Sequence, residues 1–184
     1  SQDTLGMLYG INVDYYFRLN FSGFQKIIDA LGGITVNSDY TFDVGSFHYV
    51  KGDNYLNGEQ ALAFARERHA FATGDRQRGE DQMKVIKAVF NKATSSAVLA
   101  NYTDLLASLE GTFETSMSYD TLAKLVRQQL DQGTGWDIET YSVNGSGQSS
   151  YTYSISNMKV YVMLPDQSTV DTAKEKIQAV LDGE

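Results

Sequence analysis

Four arginines lie close together in one stretch of an otherwise acidic chain, ARERHAFATGDRQRGEDQ, which runs from Ala65 to Gln82. The four are Arg66, Arg68, Arg76 and Arg78. The formal net charge of the chain is −8, yet seven of its fifteen Lys and Arg residues lie between positions 66 and 92. A guanidinium group presents a planar fork of N–H donors that fits phosphate oxygens bidentately. The cluster therefore indicates a small anionic ligand.

The spacing of these residues predicts that they converge on one site. Asp75, Arg78 and Gln82 stand at i, i+3 and i+7, which places them on one face at the N-terminal end of a predicted helix. That end carries free N–H groups and a positive dipole, and both favour anions. Arg66 and Arg68 point to the same side if their segment is extended. Three guanidinium groups and an amide exceed what a monophosphate requires, and they suit a pyrophosphate.

A solvated charged surface is the alternative explanation of the same residues. Glu67, Glu80 and Asp81 can then serve as ion-pair partners of the arginines, and such exposed pairs contribute little stability. His48 and His69 stand alone, in neither metal-ligand nor catalytic-triad spacing. The sequence contains no GxxxxGK[ST] and no GxSxG motif. The residues alone leave both readings open.

Composition narrows the class of protein. A chain of 184 residues with 42% apolar residues can bury one sizeable core, and no linker divides it. Its acidity argues against a general nucleic-acid binder, which needs a positive surface. The absence of cysteine excludes disulfides and thiolate metal sites. The sequence contains no run of eighteen apolar residues, the length that would predict a membrane span.

The elements that must position the arginines follow from periodicity. We predict a strand at Tyr15–Leu19, a helix at Phe21–Leu31 with Ser22 as its N-cap, and a strand at Ile34–Val36. This β–α–β pattern favours a layered α/β fold. Between positions 37 and 58 the sequence is rich in turn residues, with short strands at most.

Helices dominate the rest of the prediction. One helix begins at Asn57 or Gly58 and ends near Arg66, and Asp75 is the expected N-cap of the longest helix. The remaining predicted segments are helices near Val98–Leu109 and at Tyr119–Gln132, a break at 133–135, a strand at Asp137–Val143, a Gly/Ser-rich loop at Asn144–Ser150, a buried strand at Lys159–Leu164 and a helix at Ser168–Leu181.

Several of these segments together resemble the LytR–CpsA–Psr (LCP) family, and its capsular-polysaccharide members in particular. The segments are DYYFRLNFSGFQKIIDALGGITV, LNGEQALAFARERH, GDRQRGEDQMKVIKAV and, near the C-terminus, YVMLPDQSTVDTAKEKIQAVL. The resemblance implies an α/β/α sandwich around a mixed β-sheet. It also implies a membrane-anchored phosphotransferase outside a Gram-positive cell. Such an enzyme transfers a glycopolymer, a capsular polysaccharide or a teichoic-acid-like polymer, from a polyprenyl-pyrophosphate carrier to peptidoglycan with the help of Mg²⁺.

The resemblance assigns roles to the residues of the cluster. The positions that match the pyrophosphate contacts of the family are Arg66, Arg68, Arg78 and Gln82. Asp75 matches its motif aspartate, and with the three arginines it forms the implied catalytic set. The chain departs from the family pattern at Asp81 and Met83, where many relatives read Arg-Gln-Gln across 81–83. Arg76 is additional.

A long apolar pocket for the prenyl chain is also implied by the resemblance. The candidate lining residues are Phe24, Ile28, Phe64, Ile86, Val89 and Phe90. For any single one of them, a place in an ordinary packed core is the better explanation. Sequence periodicity does not separate a tunnel wall from an interior.

The family domain normally begins well before Ser1, with strands that carry an aspartate pair for the metal and a further arginine. We therefore expect residues 1–184 to be the C-terminal part of a single catalytic domain that lacks its metal ligands and is not fully active alone. Two other functions stay open. One is a non-catalytic regulator of capsule synthesis that binds polyprenyl phosphate or polysaccharide. The other is a glycan-binding module whose tyrosine-rich surface consists of Tyr49, Tyr55, Tyr151 and Tyr153.

Overall fold

The computed structural model of the chain describes residues 2–71, 74–133 and 136–183. Within these ranges the helices are α1 (Gln2–Tyr9), α2 (Phe21–Ala30), α3 (Gly58–Arg66), α4 (Asp75–Ala93), α5 (Ser96–Leu99), α6 (Tyr102–Ser108), α7 (Tyr119–Gln132) and α8 (Gln167–Asp182). The strands are β1 (Phe17–Leu19), β2 (Ile34–Ser38), β3 (Phe42–Val44), β4 (Phe47–Tyr49), β5 (Gly52–Leu56), β6 (Phe113–Thr115), β7 (Gly145–Ser150) and β8 (Val160–Pro165).

The predicted α/β class is confirmed, and the strand pairing adds detail that the sequence did not supply. Four antiparallel two-stranded ladders form among the described residues: β1 with β6, β2 with β5, β3 with β4, and β7 with β8. The two strands that flank α2 thus pair with later strands and not with each other. The chain divides into two compact units, one from Tyr15 to Ile138 and one made of residues up to Asp14 together with those from Glu139 onward.

The core of the larger unit lies between β2–β5 and helices α2, α3 and α4. Alternate residues of β2 are buried, as expected for a strand with one face on a core. Tyr49 stacks on Phe42 at 4.8 Å between ring centroids, and its hydroxyl donates to the Gln60 carbonyl oxygen at 2.8 Å. Burial, with the charge of Glu59, raises the pKa of Tyr49 to about 12. The placement of Tyr49 on a glycan-binding surface is therefore wrong, although Tyr55, Tyr151 and Tyr153 are exposed.

A capping box fixes the start of α3. The Asn57 side chain accepts from the backbone N–H of Gln60, and the Gln60 side chain accepts from the N–H of Asn57. Gly58 lets α3 approach α2 closely, because a Cβ at this position would lie 2.3 Å from the carbonyl oxygen of Gln25. The backbone N–H of Gly58 also donates to Asp29 Oδ1 at 2.7 Å. These contacts set the direction in which the far end of α3 points.

Two predicted N-caps are wrong. Asn20 caps α2 in place of Ser22, since its side chain accepts from the Gly23 N–H at 2.8 Å. Gly74, with φ of +46°, is the N-cap residue of α4, and it offers no side chain to the helix N–H groups. Asp75 is instead the first residue of the helix, which leaves its carboxylate available for other partners.

The smaller unit contains the largest error of the sequence prediction. Residues 137–143 form no strand, and the segment predicted as a Gly/Ser-rich loop is strand β7. Gly145 is needed there, because a Cβ at this position would lie 2.3 Å from the backbone carbonyl oxygen of Leu164, whereas a Cβ on Gly147 would meet the exposed ring of Tyr161, which can move. Strand β8 was expected to be buried, but most of its residues are exposed. Helix α8 is confirmed, while 134–135 of the predicted break lie outside the described residues.

Candidate functional site

Arg66 and Arg68 lie on segments of different backbone conformation at the end of α3. The helix ends at Arg66, and Glu67 is extended, with φ of −66° and ψ of 135°. The Glu67 carboxylate accepts from the backbone N–H groups of Arg68 at 2.9 Å, of Ala70 at 2.8 Å and of His69. Burial opposes ionisation of Glu67, but these three donors outweigh it and lower its pKa. The Glu67 carboxylate therefore holds the loop that carries Arg68.

Asp75 joins this loop to the first turn of α4. Its Oδ1 lies 3.1 Å from Arg78 Nη2 and 3.9 Å from Arg68 Nη1. The structure thus pairs Asp75 with Arg68 and Arg78. Arg66 lies elsewhere on the site, with its Cζ 4.7 Å from the centroid of the Phe21 ring.

Three of the four arginines, Arg66, Arg68 and Arg78, line one open hollow of about 760 Å³ together with Gln82. We name it the arginine hollow. Its lining residues are Phe21, Gln25, Val44, Phe47, Glu59, Leu62, Ala63, Arg66, Glu67, Arg68, His69, Arg78 and Gln82. The convergence that the spacing predicted is thus present in the structure. Gln82 also donates from Nε2 to the Ala65 carbonyl oxygen at 3.2 Å, which ties α4 to the end of α3. Asp75 is not among the lining residues; its exposed carboxylate pairs with two of the arginines that are.

Arg76 provides a contrast within the same helical turn. Its Nε lies 3.4 Å from Glu80 Oε1, an exposed i,i+4 ion pair, and Arg76 does not line the hollow. The alternative of a solvated charged surface therefore describes Arg76, whereas Arg78, two residues later, faces the hollow.

Several lining residues were not predicted. The hairpin β3–β4 contributes Val44 and Phe47, and α2 contributes Phe21 and Gln25. The alternating apolar residues of the hairpin were the available signal, but turn residues obscured it. His69 was set aside because it has no catalytic partner in sequence, and it too lines the hollow.

The predicted lipid-binding residues do not share one wall. Ile28 and Phe64 are fully buried in the core, and Phe24 and Val89 pack against it. Ile86 is 56% exposed. Phe90 lines a second hollow, which is separate from the arginine hollow.

This second hollow, named here the apolar hollow, has a volume of about 450 Å³. It is formed by the C-terminal part of α4 with α5, α6, α7 and the ring of Trp136, which meets Phe90 edge-on at 5.2 Å between centroids. Its apolar lining residues are Phe90, Ala93, Val98, Leu99, Leu105, Leu106, Leu122, Leu125, Val126 and Trp136. An apolar cavity of this size suits a hydrocarbon chain.

The face of α4 that packs on β2 buries charge. Asp81 is 1% exposed, its Oδ1 accepts from Gln77 Nε2 at 3.1 Å, and among the described residues its Oδ2 has no hydrogen-bond partner. Lys84 Nζ lies 3.9 Å from Asp81 and also bonds Asp39, whose pKa this hydrogen bond lowers. Burial raises the pKa of Asp81, and the negative charges of Asp39 and Glu80 raise it further. The hydrogen bond from Gln77 acts in the opposite direction but does not cancel this rise. Asp81 does not line the arginine hollow.

The described residues do not fit a magnesium site by themselves. Within residues 2–71, 74–133 and 136–183, no three His, Cys, Asp or Glu side chains are grouped as metal ligands. The carboxylates nearest the arginines, Glu67 and Asp75, are already engaged by backbone N–H groups and guanidinium groups. The magnesium prediction, with ligands from a preceding segment, stays a prediction. No helix of the described part is both long and apolar enough to cross a bilayer.

Comparison with known proteins decides the family. The sequence model of the LytR_cpsA_psr family matches residues 1–178. The chain belongs to the LytR–CpsA–Psr family. A relative from Bacillus mycoides, the polyisoprenyl-teichoic acid–peptidoglycan teichoic acid transferase TagU, is 35% identical over 122 residues, which are 66% of this chain and 40% of that protein. TagU of Bacillus subtilis is 30% identical over 145 residues, or 79% and 47% of the two chains.

The fold agrees with that of solved LytR–CpsA–Psr proteins. The crystal structure of Bacillus subtilis TagV superposes with a TM-score of 0.78 at 27% identity, and the match covers 98% of this chain and 69% of TagV. The predicted family fold is therefore confirmed. The chain spans less than half the length of the TagU proteins it matches.

Proposed function

We propose that this chain is the C-terminal part of a phosphotransferase that moves a glycopolymer from a polyprenyl-pyrophosphate carrier to peptidoglycan. The observation that carries the proposal is the meeting of Arg66, Arg68 and Arg78 with Gln82 in one hollow. The printed names of the TagU relatives, polyisoprenyl-teichoic acid–peptidoglycan teichoic acid transferases, support this reaction class. The polymer is a capsular polysaccharide or a teichoic-acid-like chain.

The arginines bind the pyrophosphate and stabilise the charge that develops during transfer. A hydroxyl oxygen of peptidoglycan attacks the phosphorus nearest the glycopolymer, and the bond from that phosphorus to the bridging oxygen breaks. The leaving group is polyprenyl phosphate, and its new terminal oxygen carries the negative charge. Preorganised guanidinium groups in a partly enclosed site stabilise such a charge with little reorganisation. Asp75 positions Arg68 and Arg78 for this role.

The prenyl chain is held by the apolar hollow. Helix α4 contributes Arg78 and Gln82 to the arginine hollow and Phe90 to the apolar hollow. Twelve residues separate Arg78 from Phe90, which is roughly 18 Å along the helix at 1.5 Å per residue. A prenyl chain spans such a distance, and each CH₂ that it buries contributes about 0.8 kcal/mol.

The remaining parts of the proposal lie outside this chain. A preceding segment supplies the Mg²⁺ ligands and the membrane anchor, and the domain works on the outer face of the membrane, where peptidoglycan lies. These parts rest on the family resemblance. The transfer step is therefore described with the residues of this chain alone.

The test is turnover of a labelled polyprenyl-pyrophosphate glycan by the intact domain, with peptidoglycan as acceptor. We expect release of polyprenyl phosphate together with label in peptidoglycan, and we expect Arg68→Ala to reduce both. Tight binding without release of phosphate would overturn the enzyme and support the non-catalytic regulator. Binding of lipid-free polysaccharide that Arg68→Ala leaves unchanged would support a glycan-binding module.

A further inference from the structure

Transfer to a sugar hydroxyl requires a group that accepts the proton of that hydroxyl. Three proton acceptors line the arginine hollow: Glu59, Glu67 and His69. We infer that His69 is the general base of the proposed transfer, with Nε2 as the accepting atom. The inference rests on the proposed function and adds a catalytic residue to it.

The two carboxylates are poorly suited to this role. Glu67 is held by three backbone N–H donors, which keep it ionised and engaged. Glu59 lies in the first turn of α3, seven residues before Arg66, which is roughly 10 Å along the helix from the arginine end. Asp75 is paired with Arg68 and Arg78, and it does not line the hollow.

His69 combines the right chemistry with the right place. Its backbone N–H donates to Glu67, so the ring is carried by the same loop that holds Arg68. Its Nε2 accepts from Arg68 Nε at 3.3 Å, which requires a lone pair on Nε2. Imidazole is the side chain that ordinarily gains and loses its proton near neutral pH. The charges around the hollow are those of Arg66, Arg68, Arg78, Glu59 and Glu67.

The contact between Arg68 and His69 suggests how substrate prepares the base. When a pyrophosphate oxygen accepts the hydrogen bond from Arg68 Nε in place of His69, the lone pair of His69 Nε2 becomes free. That nitrogen then accepts the proton as the hydroxyl oxygen bonds to phosphorus and the bridging oxygen leaves with its electron pair. The imidazolium that forms carries the proton away from the new phosphodiester. The base is thus free only when the arginines hold a diphosphate.

The first test uses the chain itself and inorganic pyrophosphate. The protein contains two histidines. His48 is the internal control, because it pairs with Asp43 in the β3–β4 hairpin and does not line the hollow. We expect pyrophosphate to move the NMR titration midpoint of the His69 ring to higher pH and to leave that of His48 in place. Calorimetric binding of pyrophosphate with both ring signals unchanged would overturn the role of His69 and leave the arginine site intact.

The second test compares His69→Gln with His48→Gln in the transfer assay. Loss of a general base reduces rates by about 10²–10⁴-fold, so we expect His69→Gln to lose at least about 10²-fold in kcat with pyrophosphate affinity nearly unchanged. With a histidine base, kcat of the wild-type domain should rise with pH, because the base must be unprotonated to act. We expect this rise to be absent in His69→Gln. A His69→Gln enzyme with wild-type kcat and pH profile would refute the inference. A wild-type domain that transfers nothing would instead refute the proposed function.

Discussion

The two faces of helix α4 carry charge for different purposes. On one face Arg78 lines the arginine hollow, and its ion pair with Asp75 is partly exposed. On the adjacent face, about 60° away around the helix axis, Asp81 is buried against β2, with Lys84 as the nearest cation. Exposed pairs contribute about 0–1 kcal/mol, whereas removing one partner of a buried pair costs about 3–5 kcal/mol. The difference predicts that substitutions near Arg78 change the proposed ligand binding and substitutions near Asp81 change stability.

The largest effect is expected from the hollow face. We predict that Arg78→Ala lowers transfer by the intact domain about 10³-fold, because one of three charges that face the leaving group is lost. Its melting temperature should stay within about 2 °C of wild type, since the lost pair with Asp75 is solvated. Arg76→Ala is the matched control and should change neither quantity. A large fall in melting temperature for Arg78→Ala would assign that residue a structural role and remove the contrast between the faces.

The buried face should show the opposite behaviour. We predict that Lys84→Met lowers the free energy of unfolding at pH 7 by about 2 kcal/mol, less than for a fully buried pair because Lys84 is partly exposed. The effect depends on pH because the fold raises the pKa of Asp81. The stability due to its neutral form is complete below the ordinary value of 3.8 and is lost as pH rises through the raised value.

Chemical denaturation at several pH values checks this prediction. The destabilisation by Lys84→Met should shrink as pH falls and Asp81 becomes neutral. Adding Asp81→Asn should restore part of the loss at pH 7. An effect that is the same at all pH values would show that Lys84 acts through packing and not through the Asp81 charge.

The apolar hollow extends the comparison to the far end of the same helix. We predict that Phe90→Ala weakens binding of farnesyl pyrophosphate about tenfold, because a large apolar contact of about 1–2 kcal/mol is lost. Binding of inorganic pyrophosphate should stay unchanged. Ile86→Ala is the control, since Ile86 lies on α4 but lines neither hollow. Equal losses for both phosphates would show that the two hollows are not independent subsites.

The smallest effect is expected at Glu67. We predict that Glu67→Gln lowers the free energy of unfolding by about 1 kcal/mol at pH 7, because charge-assisted bonds to three N–H groups become neutral ones. The fold lowers the pKa of Glu67. Its contribution is therefore present above the ordinary value and disappears as pH falls through the lowered one. Thermal melts of both proteins at neutral and acidic pH measure the difference, and a constant difference would contradict the account.

The arginine site was predictable because its geometry is local. Helical spacing places Arg78 and Gln82 on one face of α4. Helix α3 begins at its capping box and ends at Arg66, so that Arg68 lies on the extended segment that follows. The bounds of α2, α3 and α7 and the start of α4 agree with the predicted ones to within about one residue. Short-range rules therefore sufficed to predict that these residues meet in one hollow.

The remaining features depend on contacts that a single sequence does not reveal. Strand β7 was read as a loop because glycine weakens strand propensity, yet Gly145 is required by the close approach of the Leu164 carbonyl oxygen on the partner strand. Phe64 and Phe90 have the same side chain and similar neighbours in sequence. One is in the core and the other lines a hollow, and only tertiary packing separates them.

Titration calorimetry with inorganic pyrophosphate is the most direct test of the convergence of three arginines on one diphosphate. The wild-type chain should bind one equivalent, with an affinity that falls as salt screens the charges. The variant Arg66→Ala/Arg68→Ala/Arg78→Ala should lose this binding while it keeps the wild-type melting temperature, and Arg76→Ala should bind as wild type does. Equal binding by the triple variant and the wild type, or no binding by a folded wild-type chain, would contradict the account.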